Sequence, residues 1–379
     1  MSTDKEVTLE DSEEVTLYGQ RLFDYEIFWR DHYEWLKCKG YLLRPRYHPN
    51  WVPSWLGSTR SPLSFEDSRT RPLISLNLDA IRVSDGQPVM LRLADPPSLS
   101  DELKIGRLVS SMDSQSDPRN HCVPIYETFE IPKASASGRK VIVVMPYLAP
   151  WDKAEFRTVG EVVDFCSQVF EGLQFMHNHI IAHNDAKNNN IMMDWSPLYP
   201  IPVQYLRTFT FPPEEWTGRD HRIPQYNATI RTTRTPVRLP GYGGDSTVPE
   251  FKRNEPCNPF AVDVYCLGNV IRQKFIEGDP IVEDPPRRNV GFLRELIADM
   301  THDDPLKRPT MDEVVARFEE IRGRLSWWCL RSKVSDKTIP YVFHALYSPI
   351  HWSIQLLYIL RQKPAIPRHT PRKHYNARA

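Results

Sequence analysis

The chain has 379 residues, 40% apolar and 25% charged, an ordinary globular composition that allows one large domain or two medium ones. Lysine plus arginine and aspartate plus glutamate each number 48, so no overall field selects nucleic acid as a partner. The 34 prolines favour long extended connections over a mostly helical array.

The cysteines and the N-terminal residues bear on the cellular compartment. The six cysteines are scattered and include no C-x-x-C pair, which indicates a reduced, intracellular protein. Residues 1–22 are acidic and polar, unlike a signal or transit peptide, and are predicted to form a disordered leader. We therefore expect a cytoplasmic location.

Residues 23–71 form an aromatic and proline-rich segment. Its first part has apolar and aromatic side chains at helical spacing: Tyr25, Phe28, Trp29, His32 and Leu36. After Gly40, the stretch LLRPRYHPNWVPSW should run extended over another surface. We predict that this segment packs on the main domain rather than forming a ligand or partner site.

Strand-like sequence begins near Pro72 and is followed by helices. The stretch LDAIRVSDGQPVMLRLA predicts two strands joined at Asp85-Gly86. A helical segment, SDELKIGRLVSS, comes next, and then strands in CVPIYETFEI and KVIVVMPYL. A further helix is predicted from Thr158 to His179, and one of its faces is apolar: Val162, Phe165, Val169, Leu173 and Met176. Strands followed by helices indicate an α+β arrangement of two lobes.

The stretch HNDAKNNNIMMD, which begins at His183, resembles the catalytic loop of the protein kinase family. By this resemblance Asp185 would receive the proton of the acceptor hydroxyl and Lys187 would lie over the transferring phosphate. Asn190 would hold a magnesium ion through its side-chain oxygen. A lysine two residues after the aspartate is typical of serine/threonine kinases. The loop also resembles those of choline kinases and aminoglycoside phosphotransferases.

Three later motifs favour the protein kinases over these small-molecule enzymes. VPE, ending at Glu250, resembles the Ala-Pro-Glu that closes the activation segment. DVYCLG, beginning at Asp263, resembles the start of the buried central helix, and KRPT, which contains Arg308, resembles a late turn. The resemblance implies a buried ion pair between Glu250 and Arg308, and an Asp263 side chain that holds the catalytic-loop backbone.

The same resemblance implies a two-lobed fold with ATP and magnesium as cofactors. It covers residues 72–325, with a small β-rich N-lobe at 72–148 and a larger helical C-lobe at 149–325. Met145 and Tyr147 would lie at the hinge over the adenine. The N-terminal stretch GYLLRPRYHPNW additionally resembles kinase-like proteins of mushroom-forming fungi.

Several positions depart from the family pattern. A glycine-rich loop is expected just before Gln87, but LISLNLDAIRVSDG contains only Gly86, in the strand turn. Arg92 replaces the strand lysine, and arginine's planar fork does not substitute for a compact ammonium. Its helix partner would be Glu102, or Lys104 if the register shifts by two.

No Asp-Phe-Gly tripeptide lies between Asn190 and Glu250, although its aspartate chelates magnesium in the family. We expect that about twenty residues spanning this motif are missing between Arg238 and Leu239, through a real loss or a mis-called intron. The sequence therefore predicts a pseudokinase that acts on protein partners as a scaffold or regulator. An active serine/threonine kinase and a small-molecule phosphotransferase stay open as alternatives.

Two further features have competing interpretations. His177, His179 and His183 could suggest zinc, but Cys166 is the only nearby cysteine, so we expect packing roles instead.

The tail, 326–379, includes one largely apolar stretch. This stretch contains too many polar residues and interruptions for a membrane span. Six Lys/Arg and no acid follow it, yet we expect packing on the C-lobe rather than contact with anionic membrane.

Overall fold

The computed structural model divides into two compact units. Unit 1 takes the described residues of Met1–Ser98 and Ile125–Tyr147, and unit 2 takes those of Leu99–Pro124, Leu148–Ile201 and Pro213–Ala379. The described residues are 21–68, 77–94, 96–111, 117–131, 140–153, 155–194, 227–230, 245–253, 257–281 and 283–367.

Unit 1 is built on a five-stranded antiparallel sheet with strand order β1-β2-β3-β5-β4. The strands are β1 (Tyr41–Leu42), β2 (Asn77–Arg82), β3 (Pro88–Ala94), β4 (Glu127–Glu130) and β5 (Val141–Pro146). The predicted hairpin is confirmed, because β2 and β3 pair across a turn in which Gly86 has φ 70°. The Arg82 N–H donates to the Gln87 carbonyl at 2.8 Å and closes that turn.

The aromatic N-terminal segment belongs to the core of unit 1. It forms two short helices, α1 (Asp24–Asp31) and α2 (Tyr33–Cys38), because the chain leaves helical geometry at His32. Trp29 and Leu36 are buried in the same apolar cluster as the strands β2, β3 and β5. The sheet also takes its edge strand β1 from the segment 23–71.

Two arginines of this segment form buried ion pairs. Arg46 donates to both carboxylate oxygens of Glu26 at 2.8 and 2.9 Å, and neither side chain is exposed. Arg44 donates to Asp79 on β2 at 2.8 Å. Charge-assisted bidentate pairs satisfy charges that would otherwise be costly to bury. The Arg46–Glu26 pair therefore holds two parts of the segment together, and the Arg44–Asp79 pair attaches the segment to the sheet.

Unit 2 is mainly helical. Its helices are α3 (Pro96–Ser111, whose first residues lie in unit 1), α4 (Val159–Asn178), α5 (Pro249–Arg253), α6 (Pro259–Ile271), α7 (Arg294–Met300), α8 (Met311–Arg324), α9 (Trp327–Arg331) and α10 (Tyr341–Leu360). A three-stranded antiparallel sheet has the order β6 (Ala149–Pro150), β7 (Ile191–Asp194) and β8 (Asn227–Ile230). Among the described residues, no helix is long and apolar enough to cross a membrane.

Helix α4 runs through the core of unit 2. Thr158 caps it by accepting the Glu161 N–H at 3.3 Å. The predicted apolar face is confirmed, since each of its members is at most 1% exposed: Val162, Phe165, Val169, Leu173 and Met176. Phe170 packs edge-on against Phe318 of α8, with ring centroids 5.2 Å apart.

The mixed strands and helices are compatible with the predicted kinase-like fold class. The helix predicted in SDELKIGRLVSS is present and starts earlier, at Pro96, a residue suited to a first helical turn. Arg238 and Leu239, between which the missing segment is predicted, lie outside the described residues, as do residues 1–20 of the predicted leader.

Candidate functional site

The loop between α4 and β7 brings together the three residues that the sequence predicts for catalysis and metal binding. Asn190 Nδ2 donates to the Asp185 carboxylate at 2.6 Å and to the Asp185 carbonyl at 2.8 Å. Lys187 Nζ lies 3.2 Å from the other carboxylate oxygen of Asp185. Because the amide nitrogen of Asn190 is used by Asp185, the amide oxygen is the end that can ligate a cation.

Local interactions give this loop its shape. Asn184 has φ 62°, a left-handed conformation that asparagine tolerates better than most residues. Asn188–Asn190 forms a single 3₁₀ turn that leads directly into β7. The indole N–H of Trp151 donates to the Asn188 carbonyl at 3.2 Å, and its ring stacks on Phe165 at 4.2 Å. The loop is thus anchored to the α4 core.

Asp263, on α6, holds the start of the loop. Its carboxylate accepts the backbone N–H of His183 at 2.6 Å and that of Asn184 at 2.7 Å. His177 Nε2 lies 3.2 Å from the same carboxylate, and Asp263 is 0% exposed. Backbone N–H groups are strong donors that must be satisfied when buried. The predicted role of Asp263 is therefore confirmed.

Glu250 and Arg308 form the second predicted interaction. The Arg308 guanidinium donates to the two Glu250 carboxylate oxygens at 2.8 and 2.7 Å. Arg308 also donates to the Ala261 carbonyl at 3.0 Å and the His302 carbonyl at 2.7 Å, and it lies over the Tyr265 ring. This buried pair is confirmed, and it joins α5 to the loop before α8.

A polar cluster that the sequence analysis missed ties the segment before α5 to α6. Tyr265 donates its hydroxyl to the Thr247 carbonyl at 3.2 Å, and Asn269 Nδ2 donates to Thr247 Oγ1 at 3.1 Å. Asn269 also donates to Asp245, which accepts the Thr247 hydroxyl at 2.7 Å. The signal in the sequence was a tyrosine and an asparagine four residues apart on a helix that, apart from Asp263, is otherwise apolar.

The nucleotide-binding residues predicted by the resemblance lie mostly in unit 1. Arg92 is half-buried on β3, where it pairs with Val143 of β5, and Met145 lies on β5 opposite Met90. The Tyr147 N–H donates to the Pro88 carbonyl at 3.4 Å, and the chain enters unit 2 at the next residue.

The predicted helix partner of Arg92 lies on α3. Glu102 is within the helix bounds Pro96–Ser111, and its side chain is outside the described part of the structure. Lys104, the alternative in the shifted register, is exposed. Ile105 and Val109 are the residues that join α3 to the apolar core of unit 2.

The connection that leads into β2 also lacks a glycine-rich stretch. The strand that precedes β2 is β1, so the connection between the first two strands comprises residues 43–76. Its only glycine is Gly57, which follows the proline- and tryptophan-rich stretch. With one glycine, the sequence of this connection is not that of a glycine-rich loop, whose backbone can approach phosphates closely.

The three histidines near the loop have separate contacts. His177 faces Asp263, and His179 Nδ1 lies 2.8 Å from the Phe175 carbonyl. His183 is 0% exposed, as predicted for a core position, and its Nδ1 accepts the Asp185 N–H at 3.2 Å. Among the described residues, no group of three His, Cys, Asp or Glu side chains is arranged to hold a metal ion.

The residues described fit a magnesium–nucleotide complex only in part. Protein kinases hold two magnesium ions with the catalytic-loop asparagine and the Asp-Phe-Gly aspartate. Asn190 is the residue that would supply the first of these ligands. Asp194 is the buried last residue of β7, and Asp245 accepts hydrogen bonds from Thr247 and Asn269. The described residues would therefore supply only part of the ligand set with which protein kinases hold magnesium.

Comparison with known proteins supports a protein-kinase-like domain. The chain is 28% identical over 188 residues to human cyclin-dependent kinase-like 2, an alignment that covers 41% of this chain and 36% of the relative. It is 24% identical over 187 residues to a light-sensor protein kinase of Ceratodon purpureus, covering 44% and 14%. Rat NUAK family SNF1-like kinase 2 is 27% identical over 124 residues, covering 30% and 18%.

These relatives are matched over little more than a third of their own length at most. No family model matches the chain. The relatives are named as kinases, which in general use ATP and magnesium.

Proposed function

We propose that this chain is a protein-kinase-like domain with impaired phosphotransfer that acts as a scaffold or regulator of protein partners. One contrast supports the proposal. The interactions that build the fold, Glu250 with Arg308 and Asp263 with the loop backbone, are present. The sequence nevertheless has no Asp-Phe-Gly tripeptide, and it has Arg92 where the family has lysine. We also propose that the chain is related to kinase-like proteins of mushroom-forming fungi, which its N-terminal stretch GYLLRPRYHPNW resembles.

The size of the expected defect follows from how such enzymes work. Phosphoryl transfer depends mainly on positioning and charge stabilisation. Loss of one preorganised stabilising donor typically costs ~10²–10³ in rate. Here the glycine loop, the strand lysine and the principal metal ligand are all altered or missing. Even with strong non-additivity, useful phosphotransfer is not expected.

A thermal-shift titration with ATP and magnesium tests the proposal directly. A ligand that binds only the folded state raises the midpoint of unfolding, and at ~100 Kd it adds ~2.7 kcal/mol of stability. We expect no shift with ATP and magnesium together. A shift of several degrees that is lost in Asn190→Ala would contradict the proposal, because it would assign a working metal ligand to Asn190.

A second candidate is an active serine/threonine kinase that uses Asp185 as base. The close association of Asp185, Lys187 and Asn190 favours this candidate. It predicts transfer of labelled γ-phosphate that is abolished in Asp185→Asn and retained in Asp152→Asn, which alters only a peripheral contact to Asn188. Transfer that is unchanged in Asp185→Asn would identify a contaminant and dismiss the candidate.

The missing segment distinguishes these two candidates at the level of the gene. Transcript sequence across codons 238 and 239 would reveal an intervening exon if the gap is an artefact. An uninterrupted junction would support a real loss. A small-molecule phosphotransferase is the third alternative, and phosphate transfer to choline or sugar acceptors would be its signature.

A further inference from the structure

Helix α10 presents its polar side to the protein. His351 Nε2 lies 2.8 Å from the Arg331 carbonyl, and Gln355 Oε1 accepts a hydrogen bond from Arg331 Nη1 at 3.1 Å. Gln355 is only 4% exposed. A helix on the surface of a globular protein normally does the reverse, turning its apolar face to the core. The most buried described side chain of α10 is therefore polar, although Trp352 and Ile359 are half-buried beside it.

The opposite side of α10 is apolar and exposed. Its large hydrophobic side chains are between 51% and 71% exposed: Val342, Phe343, Leu346, Ile350, Leu356, Leu357 and Leu360. At about 100° per residue these seven positions fall within an arc of about 140°. A contiguous apolar surface of this kind marks an interaction site rather than scattered surface residues. We call these seven residues the outer face of α10.

The charged residues that follow Asp336 in the sequence are all cations. The helix itself has no Asp, Glu, Lys or Arg, and residues 337–379 contain seven Lys/Arg and no acid. At the start of the helix, Arg288 and Lys337 line an open pocket of about 530 Å³. The nearest preceding acid, Asp336, accepts the N–H and hydroxyl of Thr338 and keeps its negative charge, so the start of the helix carries both signs. Cations nevertheless flank an uncharged apolar helix at both ends.

The outer face is held in a fixed position rather than being a loose end. The Val159 N–H donates to the Ser332 carbonyl at 3.0 Å, and the Val334 N–H donates to the Arg157 carbonyl at 3.0 Å. Arg331 Nη2 reaches the Lys363 carbonyl beyond the end of the helix. The chain is thus attached to unit 2 both before and after α10.

We infer that the outer face of α10 inserts into the interface of an anionic lipid bilayer, with the helix parallel to the membrane plane. An apolar face flanked by Lys and Arg is the arrangement that binds such interfaces, through apolar burial together with attraction to anionic headgroups. A protein groove that received this face would gain nothing from the flanking cations unless it were itself acidic. A bilayer rich in phosphatidylserine matches both features.

The test uses the full chain and vesicle flotation. We expect the chain to float with vesicles of phosphatidylcholine plus phosphatidylserine and to bind at least tenfold less to phosphatidylcholine alone. Leu346→Glu with Leu357→Glu should abolish binding, since both side chains are exposed and their replacement leaves the packed side intact. Leu306→Glu is the matched control, because Leu306 is an exposed leucine outside the outer face.

Each outcome decides the inference. Binding that survives the double substitution, or that is equal for neutral and anionic vesicles, would overturn it. So would failure of the native chain to float. A dimer in analytical ultracentrifugation that dissociates in the double variant would assign the outer face to a second copy instead. Circular dichroism of the double variant shows that the fold is retained, and nucleotide binding is not part of any readout.

Discussion

Arg308 donates one hydrogen bond to each carboxylate oxygen of Glu250, at 2.8 and 2.7 Å, although 58 positions separate them. Both residues are buried, so neither charge has water as an alternative partner. Removing one member of a buried pair leaves the other charge uncompensated. The pair therefore links the stability of unit 2 to the segment that carries α5.

We predict that Arg308→Met strongly destabilises the chain. Breaking a buried ion pair from one side typically costs ~3–5 kcal/mol, because the remaining carboxylate is left unpaired. The free energy of unfolding, measured by urea denaturation, should fall by about this amount. If the chain becomes too unstable to purify, Arg308→Lys provides a milder variant, which keeps the charge and loses the bidentate geometry.

The matched control is Arg324→Met. Arg324 lies 3.7 Å from Glu320, and the two side chains are 81% and 69% exposed. Exposed pairs contribute ~0–1 kcal/mol, so little change is expected. Equal effects of the two substitutions would show that burial of the Arg308 pair has no special energetic role.

Asp164 should make the stability of unit 2 depend on pH. Burial raises its pKa to about 8, with Glu171 and Glu161 adding repulsion and the Gln168 hydrogen bond opposing it. The unfolded carboxyl titrates near ~3.9, so between these values only the folded chain holds the proton. The contribution of Asp164 to the free energy of unfolding is complete below pH ~3.9 and is lost as the pH rises towards about 8. The loss is at most ~1.4 kcal/mol per pH unit.

Asp164→Asn tests this dependence. The amide is uncharged at every pH, so the variant should gain stability relative to the native chain as the pH is raised from 5 to 8. Urea denaturation at both values measures the difference. Asp31→Asn serves as the control, because the Asp31 side chain is 52% exposed. Parallel pH profiles for the native chain and Asp164→Asn would refute the prediction.

Parts of the fold and site could be predicted because their signals are local or belong to a motif. The apolar face of α4 follows from helical spacing, and the turn at Gly86 follows from its dipeptide. The roles of Asp263 and Glu250 came from motif resemblance. The strand β1 is only two residues long, too short to show an alternating pattern.

Other features depend on tertiary context that the sequence does not display. The Arg44–Asp79 pair joins residues 35 apart, and nothing local identifies the partner. For α10, periodicity reveals an apolar arc but not which side meets the protein. The apolar side of a surface helix usually turns inward. In α10 it does not, because Gln355 on the polar side accepts a hydrogen bond from Arg331.

Asp263→Asn should loosen the catalytic loop. An amide in place of the carboxylate sets a donor against a buried backbone N–H of His183 or Asn184, which costs ~1–3 kcal/mol. We expect faster hydrogen exchange at these two amides together with lower stability. Asp304→Asn is the control, since Asp304 caps an exposed turn by accepting the Leu306 N–H, a role that asparagine fills equally well. Unchanged exchange at both amides would contradict the prediction.

Gly160→Ala should release the segment that follows α10. A Cβ at Gly160 would lie 1.9 Å from the Ala365 carbonyl oxygen and 3.2 Å from that of Leu330. Backbone atoms cannot yield as a flexible side chain can, so residues around Ala365 must move away from α4. We expect earlier proteolytic cleavage near Lys363 and a lower free energy of unfolding. Gly323→Ala, on α8, meets nothing within 4 Å and should gain up to ~1 kcal/mol from helix propensity. If the Gly160→Ala variant is cleaved no faster than the Gly323→Ala variant, the contact between α4 and the tail does not hold the tail in place.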